Sequence, residues 1–291
     1  MTQAFGRIVL YTWIAVLGGA GSADAEESVT FRWAPRDGAH YTLESVLRQT
    51  KQVVGEQPHT SATITRTAIS IERTGDGYTS TARPMSVRIE RDGQPVSDPL
   101  MEALQDVVLV YRIDEQGRLK DVDGFENLED RLKEKFPDEV VKSLGPALDE
   151  KILVRQEQAE WSGRYEDFVG ESVTIGDEWK GKAPLTLPNG ERIEYKVVTG
   201  FPRQLPCGAQ SCVEVRTSYR ADTLEVGEDG RGKGAIVNGE IVRVIEPDTM
   251  QIHSESVLRR LETFFQMPDG KPVRGVLEEE RDLVYESEDS S

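Results

Sequence analysis

The chain has 291 residues, 37% of them hydrophobic, with 52 acidic against 35 basic side chains and a formal net charge of −17. That length suits one large β-rich domain or two small ones, and the apolar fraction is enough for a core. So acidic a balance offers no basic stripe for phosphate, which argues against a nucleic-acid partner, and anionic membrane surfaces repel it. The acids are dispersed rather than blocked, the pattern of a solvated surface.

The first 25 residues have three parts. Met1 to Arg7 is short and carries one positive charge, Ile8 to Leu17 is an apolar run, and Gly18 to Ala25 is small and ends in Ala23-Asp24-Ala25. This is the layout of a cleavable secretory signal peptide. A membrane span needs roughly 20 apolar residues, and this run breaks at Gly18-Gly19. No later segment is long and apolar enough either. The expectation is an exported protein, periplasmic or extracellular, beginning near Glu26 and without an integral membrane segment in its mature part.

The next stretch reads as half-buried antiparallel strands. Tyr41, Leu43, Ser45 and Leu47 alternate with Thr42, Glu44, Val46 and Arg48. Thr60 to Arg73 is rich in Thr and Ile and meets a turn at Gly75-Asp76-Gly77. Met85, Val87 and Ile89 alternate with Ser86, Arg88 and Glu90 until Asp92-Gly93. Val107 to Asp114 and Leu119 to Val122 form a hairpin about Glu115-Gln116-Gly117.

The period then changes. Asp123 is placed to cap a helix, with Glu126 closing a capping-box variant. Phe125, Leu128, Leu132 and Phe136 fall on one helical face, and Pro137 starts a second helix with Val140, Leu144, Leu148 and Ile152 spaced by four. Trp161, Tyr165 and Phe168 follow at helical spacing, with acids and bases expected opposite the apolar face. The helical insert covers about 124–168. Beyond it the pattern is β again: Ile193, Tyr195 and Val197 share a face, then Val213, Val215 and Tyr219, then Ile241 to Ile245. Two long strands, Ile252 to Phe265 and Val273 to Tyr285, are joined by Pro268-Asp269-Gly270, and the acidic end 286–291 reads as a tail. The fold class is α+β: one domain over 26–285, a large curved antiparallel sheet closing toward a half-barrel, with the helical insert packed on one face.

Cys207 and Cys212 flank a short bend and are expected to form one local disulfide, as the redox C-x-x-C spacing is absent. Gly227 to Gly234 nearly spells a phosphate-binding loop, but its last position is Gly rather than Ser or Thr, and a strand follows. Asp121 and Asp123 offer oxygens to calcium, yet Phe125 and Leu132 stand where an EF-hand needs acids, and helix capping explains Asp123 more simply. His40, His59 and His253 lie far apart and in no ligand-spaced motif, so no metal is assigned. No motif asks for a cofactor or supplies a nucleophile, and an enzymatic role rests only on dispersed carboxylates. Trp161, Tyr165 and Phe168, with Trp179 nearby, either line a cleft between helices and sheet or fill a core.

The order of exported N-terminus, long antiparallel strands, central helical cover and further strands resembles the periplasmic lipoprotein-carrier fold. The segment from Val110 to Val122 also resembles a strand-turn-strand unit of uncharacterised exported bacterial proteins. The first resemblance implies a non-catalytic binding protein of the envelope that holds a lipid or other amphiphile in a cleft, with Trp161, Tyr165 and Phe168 as lining. The competing expectation is an envelope interaction or structural protein with a filled core that meets another protein. A carboxylate-using hydrolase is third.

Overall fold

The computed structural model describes residues 27–144, 148–187, 192–226, 232–266 and 272–287. The expected signal peptide, residues 227–231 of the Gly-rich stretch, the Pro268-Asp269-Gly270 turn and residues 288–291 of the acidic tail lie outside the described residues.

Five strands open the chain: β1 (Ser28–Thr30), β2 (Ala39–Val53), β3 (His59–Thr74), β4 (Gly77–Arg91) and β5 (Gln94–Val96). A short helix α1 (Pro99–Leu104) precedes the hairpin β6 (Leu109–Asp114) and β7 (Leu119–Asp123). The insert holds α2 (Leu128–Lys135), α3 (Asp138–Leu144) and α4 (Glu150–Trp161), and α4 runs into a π-helical turn, Ser162–Glu166. Then come β8 (Ser172–Thr174), β9 (Glu178–Thr186), β10 (Arg192–Cys207), β11 (Gln210–Asp222), the short β12 (Glu225–Val226) and β13 (Gly232–Lys233), and the long β14 (Ala235–Glu246), β15 (Gln251–Gln266) and β16 (Pro272–Ser287).

Twelve strands form one antiparallel sheet in the order β7-β6-β4-β3-β2-β16-β15-β14-β11-β10-β9, with β5 added on β4. The sheet is two meanders joined at a seam. β16 pairs with β2 from Gly275–Val53 to Ser287–Tyr41, so the strand continues into the segment read as an acidic tail.

Period-two alternation divides each strand. The inner face carries the buried side chains: Val197, Tyr219, Val237 and Leu261, for example, are all nearly inaccessible. The outer face carries cross-strand ion pairs, among them Arg48 with Asp282, Arg216 with Glu240, and Arg260 with Glu278. One buried cluster joins Ala183 and Leu185 of edge strand β9 to Leu261 of β15 and Leu277 of β16, and no helical residue belongs to it. A flat sheet with strands about 4.8 Å apart would leave that face open to water. Burying it without a helical cover requires the sheet to curve over itself.

The helical region forms where the 3.6-residue pattern placed it, with its own core of Phe125, Leu128, Leu132, Val141 and Leu144. Three details differ from expectation. Asp123 does not cap α2: it pairs with Arg112, and the residue before the helix is Asn127 in a left-handed conformation, φ 57°. Glu126 does reach back to a backbone N–H, that of Gly124 at 2.9 Å. In α3 Leu144 is buried as expected, but its partner on the buried face is Val141, 2% exposed, rather than Val140, 40% exposed. The expected run of fours crosses the end of α3, and α4 starts afresh with Asp149 accepting from the Ile152 N–H at 3.1 Å.

Truncating Leu132 to Ala should cost about 2–5 kcal/mol, the range for deleting a buried leucine side chain. Val140→Ala should stay within about 0.5 kcal/mol of wild type, as for a surface substitution. Urea unfolding of the two variants checks the helical register.

Candidate binding site

Trp161, Tyr165 and Phe168 leave the end of α4 and its π-turn on the side facing the sheet. Trp161 stacks on Tyr111 of β6 at 5.8 Å, lies 4.5 Å from Tyr165, and donates its indole N–H to the Gly117 carbonyl at 2.9 Å. Gly117 has φ +77°, and a Cβ there would come within 2.8 Å of the Trp33 ring, so the turn beneath this tryptophan admits only glycine. Phe168, 2% exposed, packs between Phe31 at 5.9 Å and Trp179 at 6.3 Å. Trp33 stands edge-on to both Trp161 and Tyr165 at 5.4 Å. The three aromatics expected to line a cleft therefore share one cluster, and Phe31 and Trp33 from the segment after β1 pack into it.

Beside this cluster the inner face turns polar. Arg243 of β14 and Glu255 of β15 are directly paired across the sheet, and Arg281 of β16 lies on the neighbouring row. Arg243 Nε donates to Glu255 Oε2 at 2.6 Å, while Arg281 and Arg164 donate to Glu255 Oε1 at 3.0 and 3.3 Å. Arg164 and Arg281 also reach Glu160 of α4, at 2.8 and 3.3 Å. The widened π-turn presents the Gly163 carbonyl to Arg243 Nη1 at 2.8 Å. Glu160 and Arg164 were expected on the solvent side of the helix; they turn to the sheet because a buried carboxylate waits there. Three guanidinium groups, from Arg164, Arg243 and Arg281, converge on Glu255 and Glu160, and Asp167 lies within electrostatic reach of Arg243.

Burial would raise the Glu255 carboxyl, but Arg164, Arg243 and Arg281 outweigh it and hold the group well below the usual carboxylate range. Asp167, just past the π-turn, behaves oppositely: burial, together with the Glu166 charge, pushes it up to about 6, only partly offset by Arg243. One row further along the sheet Arg259 pairs with Glu279, which also accepts from Gln49 Nε2 at 2.6 Å. The hydroxyls of Tyr195 and Tyr219 nearby are buried with no hydrogen-bond partner among the described residues.

Between these charged groups runs a half-buried row across five strands, spanning the seam: Ile241, Val257, Arg281, Leu47 and Thr63, matched in register. Ile89 of β4 extends it to a cavity of about 130 Å³ bordered by Val87, Pro95, Val96 and Asp98. That cavity is smaller than the roughly 300–1,000 Å³ of ordinary ligand pockets. The row itself, half-buried along its length, is the remaining candidate surface.

The remaining candidates are placed as follows. Cys207 and Cys212 form a disulfide closing the β10–β11 hairpin. Asp121 and Asp123 both pair with Arg112, at 2.9 Å for Asp121, which leaves their oxygens to a guanidinium rather than to calcium. His40 and His59 are exposed. No helix among the described residues is long and apolar enough to cross a membrane. The charged cluster escaped the sequence reading, although a signal existed: Arg243, Glu255 and Arg281 occupy in-facing positions of their strands, where a charge needs a partner.

No protein-family model matches the chain, and no curated protein matches it by sequence. Among solved structures, lipovitellin, described for its lipid–protein interactions, aligns with 11% identity and a TM-score of 0.45 over 86% of this chain. The chain spans only 25% of lipovitellin's length. A Bacteroides fragilis protein described as exported, with a YmcC-like fold, aligns with 11% identity and a TM-score of 0.25 over 85% of this chain and 96% of that one. Both are weak likenesses at the level of fold.

Replacing Glu255 by Gln leaves the buried Arg243 and the half-buried Arg164 and Arg281 short of a counter-charge and should destabilise by about 3–5 kcal/mol. The stabilisation from Glu255 is complete above the ordinary glutamate pKa of about 4.3 and is lost as pH falls toward its depressed folded-state value. The acid limb of a stability–pH profile should therefore be flatter in E255Q than in wild type. Asp167 has the reverse sign, because a raised carboxyl favours the fold only while protonated. D167N should match wild type at about pH 4, near the ordinary aspartate value, and exceed it in stability above its folded-state value of about 6. Urea midpoints across pH test both.

Proposed function

We propose that this chain is an exported, non-catalytic binding protein of the cell envelope. On this reading the curved sheet forms a half-barrel that holds an amphiphile between its inner face and the helical insert. One juxtaposition carries the proposal: the arginine cluster of Arg164, Arg243 and Arg281 lies against a half-buried apolar row of Ile241, Val257 and Leu47. An anionic head group has guanidinium donors there, and an apolar tail has a surface to lie on. Trp161, Tyr165 and Phe168 wall one side through their shared cluster instead of touching the ligand over their whole surface. The Ala23-Asp24-Ala25 pattern and the disulfide support export into an oxidising compartment.

A second reading, an envelope interaction protein with a filled core, draws on the packing of Phe31 and Trp33 into the space beside the π-turn. The two separate by native mass spectrometry of the chain purified from an envelope fraction, followed by organic extraction. The binding reading expects a mass excess that extracts as lipid, and Leu47→Asp, which sets a negative charge on the open row, should abolish it while the fold persists by circular dichroism. A bare chain mass from every preparation would sink this reading and favour the second.

A further inference from the structure

On the outer face, away from the proposed cleft, the disulfide lies beside two further ligand types. A ring nitrogen of His253 and the sulfurs of Cys207 and Cys212 lie within 4.8 Å of one another. The carboxylate of Glu246, a buried side chain, lies 3.7 Å from His253 Nε2, and that nitrogen is buried with no hydrogen-bond partner among the described residues. The backbone arranges this deliberately. Ile245 pairs with Ile252 and Val244 with Ser254, so His253 is the extra residue of a β-bulge. A bulge re-aims one side chain against the alternation of its strand. Glu246 is the last residue of β14, and the turn to β15 places the two within reach. Cys207 and Cys212 are separated by four residues, inside the two-to-four spacing at which paired cysteines ligate zinc.

We propose that reduction of the Cys207–Cys212 disulfide converts this corner into a zinc site with Cys207, Cys212, His253 and Glu246 as its four ligands. A dithiol reductant supplies two electrons and two protons: its own sulfurs become a disulfide, and the two cysteines become thiols. Zinc then displaces both thiol protons to the solvent and takes two thiolates, the His253 lone pair and one Glu246 oxygen. With Zn–S of about 2.3 Å and Zn–N of about 2.0–2.1 Å, tetrahedral ligand atoms sit about 3.3–3.8 Å apart; the His253 nitrogen and the two sulfurs already lie within 4.8 Å of one another, and Glu246, now against His253 alone, completes the set by rotating toward the sulfurs. The loop the disulfide closes is short, so cross-linking it constrains the unfolded chain only modestly. The β10–β11 pairing from Lys196–Arg220 to Leu205–Cys212 holds the hairpin without it. The site is empty when the cysteines are joined and forms when they are reduced, which makes it responsive to redox conditions.

The test titrates the full chain with Co²⁺ and then Zn²⁺, oxidised and after reduction with a phosphine, under anaerobic conditions. The reduced chain should bind one equivalent of Co²⁺ with thiolate charge-transfer and tetrahedral d–d absorption, Zn²⁺ should displace it, and the oxidised chain should show neither band. His253→Gln should weaken Zn²⁺ binding by at least about tenfold, the scale on which even supporting residues act. X-ray absorption on the zinc-loaded wild type should count two sulfur and two nitrogen or oxygen neighbours, a readout that needs no variant. Absence of the charge-transfer band in a reduced chain that remains folded would overturn the proposal. So would unchanged affinity in H253Q, or a coordination shell of water and two sulfurs.

Discussion

Glu255 has 1% of its side chain exposed and is surrounded by guanidinium groups from three elements. Two come from the strands beside it and the third from the π-turn, so one carboxylate fixes the helical insert to the middle of the sheet. Such an arrangement is weak evidence of net stability, because desolvating the ions costs about as much as their attraction returns. Its strength is geometric. A carboxylate offers about four lone-pair sites, and three planar guanidinium groups fill them in one arrangement only. The Gly163 carbonyl, turned out by the π-turn, gives Arg243 a further acceptor and keeps its fork in register. Apolar packing between Trp161, Tyr165 and Trp33 tolerates sliding; the charge cluster does not.

The inner face thus has two characters. At the β9 end, curvature lets the sheet bury its own aliphatic and tyrosine side chains. Near the insert, aromatic rings from β6, β9, the segment after β1 and the end of α4 fill the space. The charged row lies between them, where neither curvature nor helices provide full cover, and there Leu47, Ile241 and Val257 stay half exposed.

Much of this was legible in the chain. Strict alternation at Tyr41 to Leu47 and at Ile193 to Val197 placed the right residues inward, and turn glycines set the hairpins at Gly75–Gly77 and Gly117. The disulfide and the helical region followed from local spacing. What stayed hidden depends on contacts distant in sequence. Phe31 and Trp33 continue a short alternation from Val29 that the sequence reading passed over, and the folded aromatic cluster gives them their role. In α3 Val141 and Leu144, three apart, share the buried face, and Val140 falls outside it. Asp123 gives up a cap for Arg112 because the β6–β7 register sets a guanidinium opposite it. His253 meets the cysteines through a bulge, which no period-two reading contains.

The seam between β2 and β16 has a consequence for how the molecule forms. Arg48 and Asp282, partners across it, stand 234 residues apart in sequence. Contacts of such separation close large loops before any pairing energy is returned, and chains dominated by them fold slowly. Each meander can assemble early from its own hairpins. The long edge of β2 that meets β16 nevertheless stays unpaired until β16 has been synthesised. In that interval the half-built sheet presents a run of open backbone donors and acceptors to any other strand nearby. The last step of folding removes that edge by filling it from within the same chain.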